Sequence, residues 1–331
     1  MDCFYNRVYC PKIKDIKGLY ETALVGSAQA VAIAAKIIQD LSTETGLHLK
    51  WKKCHLHGTP MVIEQCKRMS APGFHREVSL HDSLDMVYLK APIGCEKFVS
   101  SWLDYKINEL STIIRLISRM PFKHEACTLL RSCAAECRVT YLMRILPPSQ
   151  LALFMEEFDA VLLKGFEDLI GKSIEHKWWR LAQLPARFGG MAMRSGLRTF
   201  GAQHIMSLTK TSAEVERIVG SYDACDIAKR ETEVWLTTAC AVDVNVDQVV
   251  KEIREKESAE VGFGVNKNNY SVAQLCELHE CKEVYRLMST EERIHIQACS
   301  GSSHTWVTVL PLSFKRYNMT SAIWRTSALK R

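Results

Sequence analysis

The sequence predicts a mainly α-helical protein with a small α/β region near its N-terminus. Two observations carry this prediction. Apolar residues recur every three to four positions along most of the chain beyond residue 96, which is the period of a helix packed on one face. Before that point, a helical segment is followed by alternating apolar and polar residues, a pattern typical of strands. With 331 residues, the chain is long enough for two or three domains.

The N-terminal region contains one predicted helix and two predicted extended segments. Residues 27–44 place apolar side chains at helical spacing behind Ser27, a favourable N-cap, and Gly46 follows as a natural stop. Residues 47–51 then alternate as in a strand, and residues 61–66 offer a second short extended run after a Gly-Thr-Pro turn. The sequence therefore predicts a helix followed by a pair of strands.

Helical patterns dominate the rest of the chain. They run from about 96 to 170 and are interrupted at 178–198, where a proline and a glycine pair predict an ordered loop or a short extended segment. Capping-box pairs, in which a hydroxyl and a carboxylate three residues apart satisfy the first amides of a helix, predict helix starts at Thr211 and Ser289. Residues 256–270 show the weakest pattern and are the candidate linker.

Charge is distributed unevenly along the chain. Residues 1–210 hold 28 of the 43 Lys and Arg residues but 20 of the 37 Asp and Glu residues, so the net charge of +6 arises there. This excess favours a polyanionic partner for that part, although ordinary surface charge explains it equally well. The sequence has neither a run of about 18 apolar residues nor a signal-peptide core, so we expect an intracellular protein, cytoplasmic or nuclear, without membrane contact.

Two groups of cysteine and histidine invite a zinc interpretation. Cys54, His55 and His57 lie close in sequence, but neighbours in an alternating strand point to opposite faces, so Cys54 and His55 diverge. The second group matches no common zinc-finger spacing and follows a helical pattern. Packed cysteines and surface histidines are the favoured interpretation, so no metal site is predicted, and zinc binding stays open for Cys276, His279, Cys281, His295 and Cys299.

The segment 172–198 combines basic and aromatic residues, and Glu175 is its only acidic residue. Such a mixture can neutralise phosphates and stack on bases, although a solvated face around buried tryptophans explains it equally well. The candidates for contact with a nucleic-acid backbone are Lys172, Lys177, Arg180, Arg187, Arg194 and Arg198.

Several motifs, in order along the chain, resemble the C-terminal half of reverse transcriptases encoded by retrotransposons without long terminal repeats. GLHLKWKKC at 46–54 is similar to the family's Gly-Leu-x-Leu-Asn-x-x-Lys-Cys pattern, with Lys50 in place of Asn. YLKAPIG at 88–94 is similar to its Leu-Gly-Ala-Pro-Ile-Gly pattern, with Lys90 in place of Gly. The likeness continues in CTLLRSCAAECRVTYLMRILPP at 127–148, in a Trp, Leu-Pro, Gly-Gly, Arg-Ser pattern at 179–195, and in ACSGSSHTWVTVLP at 298–311.

The resemblance implies a residual palm at 1–94, a helical thumb at 95–210 and a C-terminal helical connection region at 211–331. It implies that Lys53 lies near the phosphates of the incoming nucleotide. The residues that match the motif positioning the primer end are Tyr88, Leu89, Pro92 and Gly94. The basic residues of the thumb would follow the backbone of RNA or of an RNA–DNA hybrid without reading its sequence.

The family's polymerase centre holds two metal ions on palm aspartates, yet no Asp-Asp pair occurs anywhere in this sequence. The expected function is therefore a truncated, retroelement-derived RNA-directed DNA polymerase fragment that holds template and primer but is inactive alone. It would need no cofactor of its own, and magnesium would bind only with an intact palm, which a separate chain could supply in trans. A basic nucleic-acid-binding module and a non-functional helical remnant are the alternatives.

Overall fold

The computed structural model describes residues 24, 26–41, 44, 46, 51–69, 78–219, 223–238 and 271–299. Within these ranges the protein is mainly helical with a small α/β region near its N-terminus, so the predicted fold class is confirmed. The chain divides into two compact units, Met1–Val99 and Ser100–Arg331. The strand-like run 47–50, the candidate linker 256–270 and most of the motif 298–311 lie outside the described residues.

The first unit contains a helix pair and two small sheets. Helix α1 (Ala28–Asp40) begins where the Ser27 hydroxyl accepts a hydrogen bond from the Ala30 amide at 3.3 Å, which confirms the predicted N-cap. It packs against helix α2 (Pro60–Met69). Strands β1 (His55–His57) and β2 (Ser79–His81) pair in parallel, with α2 in the chain between them. Strands β3 (Met86–Tyr88) and β4 (Ala91–Ile93) form an antiparallel hairpin.

The second predicted extended segment is wrong, because residues 61–66 belong to α2. Thr59 caps this helix through its hydroxyl, and Pro60 occupies the first helical position, where its missing amide hydrogen costs nothing. Ile63 and Cys66 are buried, three residues apart on one face. So short an apolar run fits the helical period and the strand period equally well. The Thr59 cap and Pro60 at its start favour the helix. Residues 51–53 form a 3₁₀ turn, and the strand begins at His55.

The second unit is a helical assembly. Its first helix, α3 (Glu96–Ser118), contains the division between the units. The further helices follow in chain order: α4 (Lys123–Leu129), α5 (Thr140–Ile145), α6 (Pro148–Ile170), α7 (His176–Gln183), α8 (Gly196–Val219), α9 (Ala224–Thr238), α10 (Ser271–Arg286) and α11 (Thr290–Cys299). No helix in the described ranges is long and apolar enough to cross a lipid bilayer.

Helix α6 supplies much of the core of the second unit. Its innermost side chains recur every three to four residues, as the sequence pattern predicted, and they are fully buried: Leu151, Met155, Phe158, Leu162 and Leu169. Helix α8 packs against both α5 and α6, and α10 packs against α7 and α8. Gly165 lies against α3 so closely that an added Cβ would sit 2.1 Å from the Ile114 side chain, so glycine is required there.

The two predicted capping boxes have different outcomes. At the start of α11, the Ser289 amide donates to Glu292 Oε2 at 2.7 Å and the Glu292 amide donates to Ser289 Oγ at 3.2 Å, which confirms that box. The other box is wrong, because Thr211 lies inside α8. Its hydroxyl donates to the carbonyl oxygen of Ser207, one turn earlier, at 2.9 Å. A threonine that satisfies its hydroxyl in this way continues a helix rather than starting one.

Candidate nucleic-acid interface

A two-residue turn joins β3 to β4 and carries part of the YLKAPIG motif. Tyr88 pairs with Ala91, so only Leu89 and Lys90 form the turn. Their φ angles are +48° and +64°. Positive values at both central residues are the mark of a type I′ turn, whose twist matches that of the flanking strands. Both side chains are exposed, so the hairpin presents one apolar and one cationic side chain to solvent.

The remaining primer-positioning candidates lie beside this turn. Tyr88 is half-buried at the end of β3, and Pro92 is buried in β4 opposite Val87. Gly94 follows the hairpin with a φ of +157°, and an added Cβ would lie 2.2 Å from Asp85 Oδ1. Tyr88, Leu89 and Pro92 thus lie in one hairpin. Gly94 lies just after it, at a position where Asp85 leaves no room for a side chain.

Because Gly94 has no side chain, the Asp85 carboxylate fits beside it and lies at the start of α3. Asp85 Oδ1 accepts a hydrogen bond from the Cys95 amide at 2.7 Å, immediately before the first residue of the helix. This hydrogen bond from Cys95 lowers the pKa of the Asp85 carboxyl. A carboxylate at a helix N-terminus satisfies an otherwise unpaired amide and complements the helix dipole. Asp85 therefore links the hairpin to the start of α3.

Lys53, the predicted phosphate-proximal residue, ends the 3₁₀ turn Trp51–Lys53 and has an exposed side chain. The predicted alternation had placed the preceding residues in a strand. The structure instead places the 3₁₀ turn before β1, so the lysine lies on a connection between elements.

Most of the basic side chains in the segment 172–198 are paired with carboxylates from α10 and α11. Arg180 binds Glu280 through two parallel hydrogen bonds, Nε to Oε1 at 2.6 Å and Nη2 to Oε2 at 2.9 Å. Arg198 Nη1 lies 3.1 Å from the same Oε1. Glu280 itself is buried, and its hydrogen bond to Arg180 raises the pKa of that guanidinium. This triad joins three helices through one buried carboxylate.

The other basic residues are more accessible. Arg187 contacts Glu277, and Arg194 reaches the same carboxylate at 3.5 Å as well as Glu136 at 3.2 Å. The arginine side chains keep 53% and 46% of their surface exposed, respectively.

Two lysines complete the predicted set. Lys177 Nζ lies 2.9 Å from Glu292 Oε1, and its side chain is 31% exposed. Lys172 is exposed and forms no ion pair with any residue that the structure describes. The six basic candidates thus separate into a partly buried pair on Glu280, a more exposed pair on Glu277, a partly exposed lysine on Glu292 and one lysine without an ion pair among the described residues.

Sequence reasoning missed the acidic partners because they lie far along the chain. Glu280 is 100 residues after Arg180, and Glu292 is 115 residues after Lys177. One signal was present, since Glu277 and Glu280 are three residues apart and therefore share a face of α10. A one-sided acidic face on a helix indicates a basic neighbour, but only the fold identifies which one.

The aromatic residues of the segment mostly pack inside the unit. Trp179 is buried, with its ring centroid 5.7 Å from that of Phe166. Trp178 and Phe188 are partly buried against a core cluster formed by Leu181, Leu184, Val284, Met288 and Ile296. The prediction that the tryptophans of this segment are buried therefore holds for Trp179. The Arg187 guanidinium lies 4.9 Å from the ring centroid of Phe188.

The Gly-Gly pair within the motif 179–195 allows this packing. An added Cβ at Gly190 would lie 2.0 Å from the carbonyl oxygen of Leu184, and one at Gly189 would lie 2.6 Å from the Ile296 side chain. No side chain fits at either place. The loop therefore folds tightly under α11 and fixes the positions of Arg187 and Arg194 on either side of the glycines.

The motif ends in a buried polar contact. Ser195 donates its hydroxyl hydrogen to the Asp159 carboxylate, and the Gly196 amide donates to Asp159 Oδ1 at 2.7 Å. Ser195 Oγ also accepts a hydrogen bond from the Arg198 amide at 3.2 Å, which caps α8. Burial raises the pKa of Asp159 to about 6, against the opposing effect of these hydrogen bonds.

The two cysteine and histidine groups lie on different elements. In the first, His55 and His57 lie on β1 and face His81 on β2. The second group lies on α10 and α11, and the side chains of its members Cys276, His295 and Cys299 are outside the described part of the structure.

Two features can support a functional argument: the exposed hairpin turn before α3, and the exposed part of the basic segment. Both carry motifs on which the resemblance to reverse transcriptases rests. Comparison with known proteins adds no independent assignment: no protein-family model, no curated protein and no solved structure matches the chain.

Proposed function

We propose that this chain is the template–primer-holding part of an RNA-directed DNA polymerase of the kind encoded by retrotransposons without long terminal repeats, and that it does not polymerise by itself. The observation that carries the proposal is the β3–β4 hairpin. Its turn presents Leu89 and Lys90 to solvent directly before the first long helix of a helical unit. The exposed apolar side chain can pack on a sugar, and the lysine can neutralise a phosphate.

Three exposed basic residues supply the proposed grip on the nucleic-acid backbone: Lys172, Arg187 and Arg194. The side chains of the two arginines are 53% and 46% exposed, so their guanidinium groups can reach phosphates without leaving Glu277 and Glu136, whose side chains are only 17% and 13% exposed. Arg180 and Arg198 are less accessible, with 18% and 26% of their side chains exposed, and they share the buried Glu280 carboxylate. In this proposal Arg180 and Arg198 hold the helices in place, and the more exposed basic residues contact phosphates.

The lack of polymerase activity follows from the chemistry of the reaction. Nucleotide addition needs carboxylates that hold two metal ions near the primer hydroxyl, and the sequence contains no Asp-Asp pair. A palm supplied in trans is therefore part of the proposal. Helix α1 supports it, since Ile33, Ile37 and Leu41 follow one another at helical spacing and are 53%, 51% and 38% exposed.

A binding experiment tests the grip. The triple variant Lys172→Ala, Arg187→Ala, Arg194→Ala is compared with wild type by fluorescence anisotropy on a labelled RNA–DNA hybrid. We expect its Kd to rise about tenfold or more, because up to three phosphate contacts are lost. The control Lys36→Ala, Lys97→Ala, Lys210→Ala removes the same charge from exposed helical positions elsewhere. Equal weakening by both triples would refute a specific role for the basic segment.

A primer-extension assay tests the second half of the proposal. With magnesium or manganese, the purified chain should extend no primer on an RNA template. Template-dependent synthesis that copurifies with the chain would contradict the predicted inactivity.

A helical interaction module without nucleic-acid binding is the second candidate function. The observation that favours it is the pairing of Arg180 and Arg198 with Glu280, which withdraws two of the six basic candidates from the surface charge. It predicts no measurable affinity for the hybrid even at low salt, so the anisotropy titration of the wild-type protein separates the two functions.

A further inference from the structure

Three histidines meet on one face of the β1–β2 pair. His55 and His57 are two residues apart on β1, so their side chains leave the strand on the same side. The parallel register places His81 of β2 directly opposite His57. One ring nitrogen from each histidine lies within 4.8 Å of those of the other two. His55 is exposed and the other two are half-buried, so solvent can reach the group.

The ring geometry shows how close the nitrogens are. His55 Nδ1 and His81 Nε2 are 3.1 Å apart, within hydrogen-bond distance. Tetrahedral zinc with nitrogen ligands at about 2.0–2.1 Å separates neighbouring nitrogens by about 3.3 Å. The His55–His81 pair therefore already has nearly the spacing that a shared metal ion requires.

His57 is held in a suitable tautomer. Its Nδ1 lies 3.3 Å from the carbonyl oxygen of Ser83, which can only accept a hydrogen bond. The proton therefore resides on Nδ1, and Nε2 keeps its lone pair. A backbone carbonyl that orients an imidazole in this way is the usual outer partner of a metal-binding histidine.

We propose that His55, His57 and His81 bind a divalent transition-metal ion, with zinc as the best match, and leave a fourth position open to water. Neutral imidazole nitrogens suit zinc, copper and nickel and do not suit magnesium or calcium. The rings of His57 and His81 are stacked, with centroids 4.4 Å apart and planes 9° apart. Because the nitrogen lone pairs lie in the ring planes, two parallel rings direct them side by side. Metal binding would therefore tilt one ring so that both lone pairs point at the ion.

The location gives the ion a structural effect. A two-stranded sheet of three-residue strands has little stability of its own in water. An ion held by β1 and β2 would cross-link the strands on either side of α2. This site is independent of the proposed nucleic-acid interface and would hold metal whether or not the chain binds a hybrid.

The decisive experiment titrates the purified full chain with Co²⁺ and then with Zn²⁺. Three histidines and water give visible d–d bands without the near-ultraviolet charge-transfer band of a thiolate ligand, which separates this site from the thirteen cysteines of the chain. We expect one equivalent of Zn²⁺ to displace the Co²⁺. The variants His57→Gln and His81→Gln should weaken binding at least tenfold, whereas His176→Gln, at an exposed histidine of α7, should leave it unchanged.

A second measurement needs no substitution, so it does not depend on the variants folding. Zn²⁺ should protect His55, His57 and His81 of the wild-type chain from diethylpyrocarbonate, while His176 stays reactive, as mapped by mass spectrometry. Protection of all three histidines supports the site. Absence of protection, a thiolate band, or wild-type affinity in His81→Gln would overturn it.

Discussion

At the scale of single residues, the hairpin region combines a well-fitted glycine with two left-handed turn residues, Leu89 and Lys90. Gly94 has no room for a side chain because Asp85 occupies that space. Lys90, by contrast, adopts a left-handed conformation that glycine enters without strain, and the motif it resembles has glycine there. The sequence resemblance located both residues, but only the backbone angles explain why one tolerates replacement and the other does not.

Substitution of Lys90 should expose this strain. A left-handed conformation costs an L-residue about 1–2 kcal/mol, part of which the greater freedom of an unfolded glycine offsets. Lys90→Gly should therefore slow hydrogen exchange of the hairpin amides about two- to fivefold. The matched variant Lys90→Ala removes the charge but keeps Cβ, so equal slowing in both variants would show that charge, and not backbone strain, is responsible.

Asp159 predicts a pH dependence. Its pKa of about 6 in the folded protein lies above the ordinary value of 3.8 because the carboxyl is buried. The native state therefore binds more protons than the unfolded state between these values. The resulting stability is complete below about pH 4 and is lost as pH rises through about 6.

The variant Asp159→Asn removes this titration. Between pH 4 and pH 7, the free energy of unfolding of wild type should fall by about 2–3 kcal/mol relative to the variant. Denaturant titrations at several pH values measure the difference. Two curves that stay parallel across this range would contradict the assignment.

At the scale of elements, periodicity predicted the helices well where they are long. The buried positions of α6 repeat as the sequence indicated, because a 23-residue helix averages out local ambiguity. Two predictions were wrong, the extended segment at 61–66 and the helix start at Thr211. Both rested on short patterns, since a short apolar run or a single hydroxyl group is compatible with more than one structure. The partners of the basic segment could not be predicted, because the contact of α7 with α10 is decided by tertiary packing.

Substitution of Glu280 tests how much the contact of α7 with α10 contributes to the free energy of unfolding. Glu280→Ala leaves Arg180 and Arg198 without their shared carboxylate in a partly buried place, so we expect a loss of about 1–3 kcal/mol in the free energy of unfolding. The control Asp168→Ala on α6 removes an exposed pair with Lys164, one turn away on the same helix, and should cost less than about 0.5 kcal/mol. Similar losses in thermal or denaturant unfolding would show that Glu280 is not a special anchor.

At the scale of the whole molecule, the charge pattern of the sequence overstates the available positive surface. Residues 1–210 carry the net positive charge, but carboxylates from beyond residue 270 neutralise part of it. The sequence could predict the class of fold and the order of its segments. It could not predict which basic residues stay exposed or that His81 would join His55 and His57, since both outcomes depend on contacts between distant parts of the chain.

The central claim is that the exposed basic residues hold a nucleic-acid backbone, and the salt dependence of binding tests it most directly. The affinity of the wild-type chain for an RNA–DNA hybrid is measured between about 50 and 200 mM salt. About four phosphate contacts, from Lys90, Lys172, Arg187 and Arg194, predict a slope of about −3 to −4 in a plot of log K against log salt concentration, with similar affinity for hybrids of unrelated sequence. Absence of binding at the lowest salt, or an affinity independent of salt, would contradict the account.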